Sequence, residues 1–214
     1  MNWPIFKQNL RYHYKKYLAI LFASLAWVCL IGSMVMEILA AYDGGGMLVD
    51  FNWVWNLVFS AIVYGTILVG NLRGTSTAFY GILLFVFSTV INAAINLFLG
   101  GTNVFLSLLA GDPVGAVFAV LSLLFVVASI VTGVFVYIRC RGFLNNTYAS
   151  YAGLRNWTIA FCLLSALSAL TLPALTVFIS GWDLSVVTSY FAELGDVFIA
   201  AAIFFTVSRL KSEY

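Results

Sequence analysis

Six long apolar runs, separated by short charged or glycine-containing segments, organise this chain. They extend over about 17–41, 51–72, 79–100, 113–138, 157–180 and 190–208. Each approaches or exceeds the roughly 20 residues that a helix needs to cross a hydrocarbon core about 30 Å thick. Within the runs Leu, Ala, Phe and Val follow one another without the two-residue alternation of an outer-membrane barrel strand. The pattern therefore predicts an all-α fold, a polytopic membrane helical bundle of six transmembrane helices. It forms a single integral membrane domain over 1–214, because no connecting segment is long enough for a soluble domain and no internal repeat divides the chain.

A different pattern precedes the first run. In "MNWPIFKQNLRYHYKK", Trp3, Phe6, Leu10 and Tyr14 recur at spacings of three and four and share one helical face, while Lys7, Gln8, Arg11 and Lys15 lie on others. With Lys16 beside them, these residues predict an amphipathic interfacial helix over 1–16. Such a segment lies flat on an anionic inner leaflet before the chain turns into the first span.

Composition removes the water-soluble classes. The chain is 63% hydrophobic and 8% charged, with a mean hydropathy of +1.04, whereas soluble domains carry about 25% charged residues. The distribution of the few charges matters more than their number. Lys and Arg accumulate in loops that stay cytoplasmic. Taken in order, one side of the membrane receives the N-terminus, Arg73, the Arg139/Arg141/Arg155 loop, and Arg209 with Lys211. The other side receives Asp43, Asp50, Asp112 and Asp183, with Glu37, Glu193 and Asp196 near the same helix ends; only Glu213 breaks the separation. An even number of spans with both termini inside follows, and the compact form without a cleaved leader fits a multi-pass protein of a bacterial plasma membrane.

Motifs for catalysis are missing. The sequence has no HExxH, no CxxC and no glycine followed by lysine, which excludes a phosphate-binding P-loop in this chain. "GTSTA" from Gly74 lacks the closing glycine of a nucleophile elbow. The single histidine, His13, stands among Tyr and Lys of the opening segment with no orienting partner in view. No enzyme activity, cofactor or metal is expected, and no nucleic-acid partner. Cys29 and Cys162 fall inside spans and Cys140 lies between two arginines, so no disulfide framework is available. Cys140 reads as a small apolar side chain more readily than as an acylation site, and the sequons at Asn145 and Asn156 fall on the cytoplasmic side.

Polarity inside the spans is what remains, and it is costly in a bilayer. Asn92 and Asn96 share a face of the third run, Glu193 and Asp196 a face of the sixth, and Asn56 lies at similar depth in the second. Convergence of these helices would give a polar, anionic recess open to the outside, suited to a cationic or amphipathic solute or to the exit of a translocation route. The alternative is that the amides lock helices together and the acids sit at the interface. Pro173, preceded by the small residues Ser165, Ala166, Ser168 and Ala169, predicts a kink near Ala169 and a hinge in the fifth span.

The opening "NWPIFKQNLRYHYKKYLAILFA" resembles the start of ABC exporter permease subunits of the six-span class, in which a Phe-Lys-rich amphipathic helix leads into the first span. The stretch "SGWDLSVVTSYFAELGD" is similar in position to a short re-entrant segment of that family. The resemblance implies a homo- or heterodimer that works with a separate ATPase subunit. The family's charged loop between the second and third spans is reduced here to "NLRGTSTAFYG". Docking of the ATPase would therefore fall to Lys7, Arg11, Lys15 and Lys16 with Arg139, Arg141 and Arg155. Two other readings stay open: a membrane solute-binding subunit like those of vitamin importers, and a non-transport partner such as an immunity protein.

Overall fold

The structure is a computed structural model that describes residues 3–43, 51–74, 76–109, 113–145, 151–180 and 184–209, with side chains for 14–39, 42, 54–74, 76–95, 97–98, 115–117, 119–145, 151–168, 171 and 190–209. Six α-helices make up these residues: α1 (Trp3–Asp43), α2 (Phe51–Arg73), α3 (Thr77–Leu109), α4 (Pro113–Leu144), α5 (Tyr151–Ser180) and α6 (Leu184–Arg209). No strand occurs among the described residues. Among the described residues, five stretches are long and apolar enough to cross a membrane: Tyr14–Leu39, Val54–Arg73, Thr77–Ile95, Gly115–Leu144 and Tyr190–Arg209. Helix α5 has 30 residues, and part of its far half lies outside the described side chains.

Several boundaries differ from the sequence expectation. The amphipathic segment and the first apolar run form one helix, α1, of 41 residues, so no turn sets the segment off from the span. The connection expected after residue 100 is helical to Leu109, making α3 33 residues long, about 50 Å against a core of about 30 Å. Two glycines cost a helix only about 1 kcal/mol each, too little to stop it where apolar residues resume at once. On the other side, α4 continues through Arg139 and Arg141 to Leu144. Helix α5 begins at Tyr151, six residues before the expected start of the fifth span at 157. Most of the expected re-entrant stretch is the first half of a continuous α6.

Each helix packs on its neighbours in sequence, and α1 packs extensively on α6, which closes the six into a ring. Small residues permit the closest approaches. Ala19, Ala23 and Ala26 give α1 a fully buried face, beside which Phe22 stacks on Phe198 and Phe205 of α6, at 6.1 and 5.6 Å between centroids. Helix α2 ends where Gly74 adopts φ +67°, a left-handed conformation that glycine takes without strain. The following helix then returns so close that a Cβ on Gly70 would overlap the backbone of Ala78, and one on Gly81 would collide with Thr66 and Ile67. Across the ring, Phe161 of α5 meets Phe85 of α3 edge to face at 6.1 Å.

Lys15 Nζ donates to the Ser208 carbonyl at 2.7 Å, placing that part of α1 beside the C-terminal end of α6. Arg73, Arg141 and Arg209 lie in the last turns of α2, α4 and α6, and Arg139 and Arg155 lie within two turns of the ends of α4 and α5, all at this same end. We call it the basic end and the opposite one the far end. Cys140 is fully buried near the basic end, its thiol directed at the Phe79 carbonyl at 4.0 Å, and so packs as the small side chain expected of it. The three cysteines are free thiols.

Candidate functional site

Helical spacing marks one inward stripe on each helix, and the stripes change character along their length. On α2 the stripe is Asn56, Ser60, Val63, Ile67 and Asn71; the last three are buried, Ser60 is half-buried and Asn56 is exposed. On α5 it is Leu154, Thr158, Phe161, Ser165 and Ser168, with the first three buried and the serines half-buried. On α6, Ile199, Ile203 and Thr206 are buried, whereas Asp196 and Ala192, on the same face toward the far end, are exposed. Helix α4 follows, with Thr132, Val136 and Cys140 buried and Ser122, Phe125 and Ser129 half-buried. The ring is thus filled by side chains toward the basic end and opens toward the far end into a recess. Its lining is mostly amide, hydroxyl and carboxylate.

Two polar contacts join the parallel helices α2 and α6. Near the basic end Asn71 and Thr206, both buried, are joined by a hydrogen bond. Asn71 Nδ2 donates to Thr206 Oγ1 at 2.9 Å, and Thr206 Oγ1 lies 3.1 Å from Asn71 Oδ1. Asn71 Nδ2 also reaches the Ile67 carbonyl at 2.9 Å, and Thr206 Oγ1 the Ala202 carbonyl at 2.7 Å. This pair belongs to the filled half. At the floor of the recess, the Tyr64 hydroxyl donates to Asp196 Oδ1 at 2.8 Å. The tyrosine is buried, 3% exposed, so a packed ring holds its hydroxyl against the carboxylate. Gly195 is the neighbouring α6 position: a Cβ there would stand 3.4 Å from Tyr64 Oη and 3.5 Å from Cys29 Cβ, in ordinary van der Waals contact with both.

The residues singled out in the sequence come together in part. Gly70 against Ala78 and Gly81 against Ile67 set the antiparallel register of α2 and α3. Continued along both helices, it brings Asn56 level with Asn92. Both are exposed, so neither amide is enclosed between the two helices at that level. Asn92 lies on the side of α3 that faces α2. Glu193 is half-buried on the α5 side of α6, about one turn beyond Asp196. The side chains of Asn96 and Pro173 lie outside the described residues, as do those of Lys7 and Arg11. Among the docking residues, Lys15, Lys16, Arg139 and Arg155 are half-buried and Arg141 is exposed. Tyr64 and Ser60 are floor and lining residues that sequence reading passed over, and Ser165 and Ser168, read there only as small residues beside the Pro173 kink, join the lining. Their signal was available in the i, i+3, i+4 spacing that links them to buried positions.

No protein-family model, curated protein or solved structure matches the chain.

Proposed function

We propose that the chain is a membrane-spanning transporter subunit that receives a small solute from outside the cell in the recess between its helices. In this reading all six helices cross the plasma membrane of a bacterium with both termini in the cytoplasm, because the basic end then obeys the positive-inside bias. The single observation that carries the reading is the change along the inward stripes, from buried and mostly apolar to accessible and mostly polar. Side chains such as Asn56 and Asp196 are expensive at membrane depth and mark solute pathways when they face an interior space. A bundle held together by amides alone would bury them, as it buries Asn71. Energy would come from a separate ATPase bound at the basic end, where Arg73 and Arg141 are exposed. The opening segment's likeness to ABC permeases supports that partner.

Cysteine labelling tests the orientation and the recess together. In intact cells, a membrane-impermeant maleimide is expected to modify Asn56→Cys and Ser165→Cys and to leave Thr158→Cys untouched. Modification of Arg73→Cys from outside, or protection of both recess cysteines, would overturn the proposal. Purification in mild detergent is expected to bring an ATPase along. Its absence, with the recess labelled, would leave a solute-binding protein without that motor.

A further inference from the structure

We infer that Asp196 is the counter-ion for a small protonated amine in the recess, and that Tyr64 is its positioning residue. This rests on the transporter reading only for the side from which the amine enters. Three independent observations meet at Asp196. The first is placement: it shares the inward stripe of α6 with the buried Ile199, Ile203 and Thr206, yet it is exposed, so its carboxylate faces the recess and not the lipid. The second is orientation. The buried Tyr64 hydroxyl engages Oδ1 at 2.8 Å, which fixes the carboxylate and leaves Oδ2 without a hydrogen bond among the described residues.

The third is the charge balance of the whole chain. All ten Lys and Arg belong to the basic end or to the segments flanking it. The nearest along α6, Arg209, is thirteen residues away (209 − 196), about 20 Å along the axis. Among the described residues no cation therefore lies at the depth of Asp196, and a carboxylate so placed in a bilayer needs one from elsewhere or a proton. The neutral lining is compatible with an organic cation. Asn56, Ser60, Ser165 and Ser168 offer carbonyl and hydroxyl acceptors, which suit the N–H groups of an amine. Glu193, half-buried on the α5 side, is the other acid near this level and stands where an entering cation passes first.

The test uses the full-length protein in lipid nanodiscs. Methylammonium, propylammonium and butylammonium are titrated by calorimetry, with propionamide as the neutral control and Na⁺ as the inorganic one. Saturable binding of the ammonium ions and none of the amide is expected. Asp196→Asn should weaken binding about tenfold or more, the effect of removing one charged partner. Tyr64→Phe should weaken it several-fold while Asp196→Glu restores part of it, a rescue that a merely structural role would not give. Should Asp196→Asn not fold, protection provides a second readout: propylammonium should slow maleimide labelling of Ser165→Cys in the otherwise unaltered protein. Ammonium binding unaffected by Asp196→Asn, no ammonium binding or protection at all, or equal binding of Na⁺ with the same dependence on Asp196 would each overturn the assignment. The two proposals fail separately. Amine binding with the recess labelled from the cytoplasm removes the transporter orientation alone; outward labelling without amine binding removes the counter-ion alone.

Discussion

The two halves of the bundle use the same six helices and reach opposite results. Toward the basic end, Phe161, Ile67, Ile82, Val136 and Ile203 fill the ring and are nearly inaccessible. The polar groups admitted there, Asn71 and Thr206, are joined by a hydrogen bond. Toward the far end the inward positions are smaller and polar, and they remain accessible. In lipid no hydrophobic force draws helices together, so packing and hydrogen bonds must do it. The filled half supplies both, and the open half is held in place by it. The difference teaches that polarity by itself does not mark a site in a membrane bundle: Asn71 and Asn56 lie on one stripe of one helix, and only the latter is left accessible.

Substitutions in the two halves should therefore diverge, and the contrast can be broken by measuring stability in detergent. Phe161→Ala, which removes a ring buried against Phe85, is expected to cost about 3–5 kcal/mol. Gly70→Ala should follow, at about 1–3 kcal/mol, because the added methyl must push α3 away from α2. Asn71→Val should cost about 0.6–1.7 kcal/mol, the range for interhelical hydrogen bonds in membranes, since Thr206 keeps its bond to the Ala202 carbonyl. Asn92→Ala in the open half should change stability by no more than about 0.5 kcal/mol. Unfolding midpoints in sodium dodecyl sulfate titrations check all four. A loss at Asn92 as large as that at Phe161 would erase the distinction between the halves.

Helix identity and number were readable from the apolar runs, since continuous Leu, Phe and Val over membrane length leave few other options. The ends were less so. Glycines at 100 and 101 look like a turn in isolation, but the apolar residues after them carry α3 to Leu109. Asn56, Asn92 and Asp196 stood out because each is expensive at its depth. Tyr64 did not, for a tyrosine in an apolar run is ordinary, and its partner lies 132 positions away. Nor could local pattern tell the locking amide from the exposed one, because that depends on which neighbouring helix comes close. Close approach is written in the glycines at 70 and 81, whose meaning appears only when both helices are in view.

The contact between Lys15 and Ser208 spans 193 positions, and it has a bearing on biogenesis. The alanine face of α1 finds its principal partner only in α6, which is made after the four helices between them. That face must accordingly wait, turned to lipid or to an insertion factor, until α6 arrives and the circle shuts.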